Sequence, residues 1–191
     1  MTRGFLTLAA AAIALVSAPA GHAAGGSYVF DGGTKQQQAQ VRKALGASSF
    51  DWGVVPGRIV IHIERGLSSA AAPGEIWLDG DLLDAGMFSW GVVQHEYAHE
   101  VDFLLLNDEE RSMLLELLGG QRWCSTTPTI RHEELGCERF ASTLAWAYWP
   151  SPDNCMRPEG RRDESAALPA REFRALVARL IPSLGRPEVG R

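Results

Sequence analysis

The segment Ser89–Phe103 constrains this chain more than any other. It carries His95, Glu96 and His99 in the spacing H-E-x-x-H, among apolar residues that recur at helical intervals. At 3.6 residues per turn, two positions four apart lie about 40° apart in projection. One helix face therefore carries both imidazoles, and both can reach one metal ion. Glu96 borders that face, too close to be a comfortable third ligand but within reach of a water beside the ion. Asp102 and Phe103 fall on the same side, whereas Val93, Tyr97, Val101 and Leu104 fall on the other. The helix is expected to run over about 89–106. A fold built on it must cover an apolar back and also give the ionisable face a partner.

The second half of the chain supplies that partner. A long helix is expected over about 132–149, ended by Pro150 and Pro152. Glu138 heads a stripe that Ala141, Ala145 and Tyr148 continue. A carboxylate leading an otherwise apolar inward stripe needs a counter-charge, because burying a bare charge is very costly. A metal ion would provide it, so Glu138 is the expected third protein ligand. Glu134, one turn earlier, is the runner-up, with a solvated first-turn position as its plainer explanation.

Around these two helices the pattern mixes strands and helices. Residues 58–64 read as a strand with Ile59, Ile61 and Ile63 on one face, and 75–79 as a second strand. The second could be a sheet edge beside the site; the sequence leaves open whether its edge is free. Thr34 and Gln37, then Asn107 and Glu110, have the spacing of capping boxes that open helices. A last amphipathic helix is expected from Pro169 to Ile181, with Phe173, Leu176, Val177 and Leu180 inward. Residues 68–74 and 151–167 read as loops. The expected class is α+β, a small mixed sheet packed on the site helix with a helical C-terminal half.

The chain has 191 residues, 46% hydrophobic and 21% charged, the profile of one globular domain. A net charge of -5 offers no basic footprint, which argues against a nucleic-acid partner. The first residues resemble an export signal: Arg3, an apolar run from Phe5 to Val16, then small residues including Ala18-Pro19-Ala20. The expected organisation is a signal peptide over 1–24 and one domain over 25–191. The mature protein is expected to be secreted, extracellular or cell-wall associated, with no membrane attachment after cleavage. Cys124, Cys137 and Cys155 would then sit in an oxidising compartment. One disulfide and one leftover thiol are expected, with the pairing open.

The run His95-Glu96-Tyr97-Ala98-His99-Glu100-Val101-Asp102, followed by Glu138-Arg139-Phe140-Ala141, resembles the gluzincin zinc peptidases. The lethal-factor-like group, with H-E-x-x-H-x-V-D and then E-x-F-A, is the nearest pattern. The resemblance implies a zincin-like fold, zinc held by His95, His99 and Glu138, and Glu96 as catalytic base. It implies a peptide or protein substrate; the oligomeric state is not given. Two positions depart from the pattern. Thermolysin-type members carry an Asp one turn after the ligand Glu to orient a ligand His, and here that residue is Ser142. Asp102, one turn beyond His99, could take that duty. Lethal-factor-like members place a Tyr upstream of the ligand Glu to stabilise the transition state; here Arg131 stands there with His132 beside it. Either could donate to an oxyanion, and His132 is taken as the catalytic candidate. The alternative to a peptidase is a catalytically silent secreted zinc-binding or scaffold protein.

Overall fold

The computed structural model describes residues 26–125 and 130–185; the leader expected over 1–24 lies outside them. Strands β1 (Tyr28–Gly32), β2 (Ile59–Glu64), β3 (Ala70–Ala72) and β4 (Glu75–Asp79) form one sheet in the order β1-β2-β4-β3. The first three neighbours run parallel, and β3 runs antiparallel to β4. The expected alternation is present: Ile59, Ile61, Ile63, Ile76 and Leu78 are all buried. On the other face His62 stacks on Trp77, ring centroids 5.2 Å apart.

Residues 68–74, read as a loop, contain β3. Three alanines carry no strand signal. Their backbone is a strand because it pairs with β4, Ala70 opposite Trp77 and Ala72 opposite Glu75. β4 is therefore interior, and β3 is the edge.

Helix α1 (Lys35–Ala47) lies in the connection from β1 to β2, since parallel neighbours need a crossover. It opens on the expected box: Gln37 N–H donates to Thr34 Oγ1 at 3.2 Å, and Thr34 N–H to Gln37 Oε1 at 2.9 Å. After the short α2 (Gly80–Asp84) comes α3 (Trp90–Leu105), the organising helix. It packs on α1 and on the β3–β4 side of the sheet. Tyr97 on its back meets the rings of Trp52 and Tyr28 edge-on, at 5.2 and 6.4 Å. Burial stops at Asp102, so Leu104, expected to face inward, is 36% exposed.

The C-terminal half is helical as expected. Helix α4 (Asp108–Leu118) opens on the Asn107–Glu110 box and ends at Gly119 in the left-handed region. Helix α5 (Gly136–Tyr148) crosses α3, and α6 (Ala170–Leu180) covers α5. Phe173 and Val177 are buried against it, with Phe140 and Phe173 centroids 5.7 Å apart. Most of the buried apolar side chains form one cluster. No helix of the described residues is long and apolar enough to cross a membrane.

The start of α5 differs from the expected 132. Residues 132–134 form a 3-10 turn, and Leu135 is extended. Leu135 pairs with Arg122 as an isolated bridge. The Gly136 and Cys137 N–H groups donate to the Arg122 and Trp123 carbonyls at 2.8 Å each. Cys137 is also disulfide-bonded to Cys124, leaving Cys155 as the free thiol. A Cβ at position 136 would lie 2.8 Å from the Trp123 ring and 2.9 Å from Leu115 Cδ1. Only glycine lets the loop backbone approach closely enough to cap the helix. Glu138 thereby falls in the first turn of α5, where the helix dipole favours a carboxylate.

Candidate metal centre

The three expected ligands converge. His95 Nε2 and His99 Nε2 lie 3.2 Å apart, and Glu138 Oε2 lies 3.1 Å from the first and 3.2 Å from the second. Both His are buried, at 5% and 6% exposure. A tetrahedral ion about 2.0–2.1 Å from its ligands would space them by about 3.3 Å. Two imidazole nitrogens and one carboxylate oxygen at these separations are a donor set that fits a divalent cation. Glu96 is 6% exposed, and its carboxylate lies within 4.8 Å of the His95 and His99 nitrogens.

His132 joins the same cluster. Its Nε2 is 2.9 Å from Glu138 Oε2, although the side chain is 61% exposed. Arg131, the other oxyanion candidate, turns away and pairs with Glu133 and Glu134 at 2.8 and 2.9 Å. Glu134, the runner-up ligand, is committed to that pair. Neither Arg131 nor Glu134 lines the cleft that holds His95, Glu96, His99, His132 and Glu138. That cleft encloses about 700 Å3. Ala70 and Ala71 of the edge strand, Phe103 and Arg122 are among the residues that form its walls.

The charges respond to this crowding. Burial alone would raise the Glu138 carboxyl, but hydrogen bonds from His132, His95 and His99 outweigh it and hold the group far below its ordinary range. Burial would lower His99, yet Glu138, Glu96 and Asp102 together raise it. Hydrogen bonds to Glu138 and Glu164 push His132 up to about 10. Burial raises Glu96 against the opposing pull of His95 and His99, the direction that suits a proton acceptor near neutral pH.

Asp102 does not take the duty expected of it. Its carboxylate accepts Arg111 Nε at 2.8 Å and Trp123 Nε1 at 3.0 Å. His99 Nδ1 is buried and has no hydrogen-bond partner among the described residues. Asp102 thus ties α3 to α4 and to the loop before the disulfide. Glu100, fully buried beside His99, accepts the Gly74 N–H at 2.9 Å and so ties α3 to the β3–β4 turn.

Ser142 stands behind His95. Its Oγ is 3.0 Å from His95 Nδ1 and donates to Glu164 Oε2 at 2.7 Å. Glu164 Oε1 lies 2.6 Å from His132 Nδ1. Burial opposes ionisation of Glu164, but hydrogen bonds from His132 and Ser142 lower it on balance. Sequence reasoning passed over Glu164, which lies in the stretch read as a polar loop. The usable signal was indirect: Ser142 lies one turn after Glu138, and a buried hydroxyl there needs an acceptor for its hydrogen. Compared with protein-family models, curated proteins and solved structures, the chain has no match.

Proposed function

We propose that this chain is a zinc-dependent metallopeptidase of the zincin type. The observation that carries the reading is the convergence of His95 Nε2, His99 Nε2 and Glu138 Oε2 at 3.1 to 3.2 Å, with Glu96 on the same helix. Zinc held by these three residues would polarise a carbonyl and acidify water. Glu96 then takes the proton of the attacking water on its carboxylate and delivers it to the leaving amine nitrogen. His132 Nε2 donates a hydrogen bond to the oxygen on which negative charge develops. The edge strand β3 lines the cleft and offers backbone groups to an extended peptide. Export through the residue 1–24 leader would put the enzyme outside the cell, where the Cys124–Cys137 disulfide persists.

One observation favours a second reading. His132 Nε2, 2.9 Å from Glu138 Oε2, is placed as well for a fourth ligand as for a donor. Four protein ligands would close the coordination sphere and leave a zinc-holding protein without turnover. Hydrolysis of a peptide library by the zinc-loaded protein separates the two readings. Glu96→Gln is expected to keep zinc and abolish hydrolysis. Persistence of hydrolysis in that variant sinks the mechanism. Zinc content below about a tenth of an equivalent after zinc-supplemented refolding would sink both readings.

A further inference from the structure

We propose that Glu164 is a positioning residue of this site, one carboxylate that holds Ser142 against His95 and His132 against Glu138. The proposal rests on the peptidase reading for its kinetic consequence only; its geometric content concerns the two His rings. Glu164 opens a 3-10 turn (Glu164–Ala166) that packs on α5. Its backbone carbonyl accepts Thr143 Oγ1 at 3.2 Å, which seats the turn beside Ser142. The side chain is 20% exposed, and each oxygen has its own partner: Oε2 takes Ser142 Oγ at 2.7 Å, Oε1 takes His132 Nδ1 at 2.6 Å.

Proton bookkeeping fixes what this arrangement does. A carboxylate only accepts, and a serine hydroxyl has one hydrogen. The Ser142 hydrogen therefore points to Glu164, and its lone pairs face His95 Nδ1 at 3.0 Å. His95 must then carry a hydrogen on Nδ1. That makes Nε2, 3.1 Å from Glu138 Oε2, the nitrogen that can give its lone pair to a metal once the metal takes the place of the Nε2–H···Glu138 contact. Without Glu164 the hydroxyl is free to turn and donate to Nδ1, which permits the tautomer that cannot bind metal. On the other limb, His132 is 61% exposed and sits on a 3-10 turn. Donation from Nδ1 to Glu164 is what aims its Nε2 into the cleft. A glutamine has one oxygen and one amide nitrogen, so it can serve only one of the two partners.

The test uses the full chain and three variants. Glu164→Gln is expected to weaken zinc affinity about 10- to 100-fold by chelator competition. At saturating zinc it is also expected to lower kcat with little change in KM. Ser142→Asp in the Glu164→Gln background places a carboxylate directly behind His95. It should restore zinc affinity but leave kcat low, because His132 is still unheld. Glu164→Ala, which keeps neither acceptor, should show both losses at least as strongly as Glu164→Gln. Long-range 1H–15N spectra of the metal-free protein provide a measurement independent of catalysis and of metal. They should show a hydrogen on His95 Nδ1 in the parent and its partial loss from Nδ1 in Glu164→Gln. In Glu164→Ala, zinc affinity within about 2-fold of the parent, with the hydrogen still on His95 Nδ1, would overturn the His95 limb. Full recovery of kcat in the double variant would overturn the His132 limb. The peptidase reading fails separately, through hydrolysis by Glu96→Gln, and leaves the spectroscopic result intact.

Discussion

Replacing Asp102 by Ala separates the two duties a carboxylate near His99 can have. Asp102 is 1% exposed. Its side chain accepts two donors, Arg111 Nε at 2.8 Å and Trp123 Nε1 at 3.0 Å. A third bond, from Arg111 Nη2 to the Asp102 carbonyl at 2.8 Å, survives the substitution. The lost Arg111 bond is charge-assisted, yet Arg111 is 24% exposed, so water recovers part of it and about 1.5 kcal/mol is a fair cost. Trp123 is half-buried and loses its Asp102 acceptor, for about another 1.5 kcal/mol. The sum is about 3 kcal/mol. With the urea dependence of a chain this size, about 2 kcal/mol per molar, the midpoint should fall by about 1.5 M. Zinc affinity should change by less than about 3-fold, because His99 Nδ1 makes no bond to Asp102. Urea titration and chelator competition on the same preparation give both numbers. A 10-fold loss of zinc affinity with the midpoint unmoved would refute the assignment of Asp102 to the fold rather than to His99.

Two further outcomes concern the scaffold. Cys124→Ser with Cys137→Ser opens a disulfide of sequence separation 13 and should cost about 3 kcal/mol. Because Cys137 adjoins Glu138, zinc binding should weaken as well; a urea midpoint equal to the parent's would contradict the stabilising role. Tyr97→Phe addresses alkaline pH. Burial raises the Tyr97 hydroxyl above its ordinary value of 10.0, so the folded chain keeps a proton that the unfolded chain has released. Stability is then whole below pH 10 and falls above it, by up to about 1.4 kcal/mol per pH unit. The phenylalanine variant should show a shallower alkaline decline, not a flat one, since Tyr148 is likewise pushed up to about 12. Identical slopes for the two proteins would count against this account.

What was legible in the sequence was local. The Thr34–Gln37 and Asn107–Glu110 boxes announce their helices because cap and partner are three residues apart. The Ile59–Ile61–Ile63 alternation announces β2 because burial follows the two-residue period of the backbone. His95 and His99 are one turn apart, so a motif suffices to find them. Most of the misses are settled by contacts distant in sequence; the Arg131–Glu134 pair, three residues apart, is the local exception. β3 is three alanines that owe their conformation to β4. The α5 boundary is fixed by carbonyls of residues 122 and 123, not by a local cap. The disulfide pairing follows from the same close approach. Glu164 reaches Ser142 across 22 residues and His132 across 32, separations at which no periodicity survives. Asp102 misled for the complementary reason: helical spacing put it near His99, but Arg111 and Trp123 are stronger claims on its oxygens.

Glu100 gives α3 a second grip on the cleft. His99, which faces the ligand cluster, and Glu100, which holds the Gly74 N–H at 2.9 Å, are joined by one peptide bond. A rotation of α3 that swings the imidazole must also drag the tip of the β3–β4 hairpin. The two jaws of the cleft, α3 and the β3–β4 hairpin, are linked through that one hydrogen bond. On the proposed peptidase reading, an extended chain entering between them meets the His95–His99–Glu138 cluster and the edge strand together.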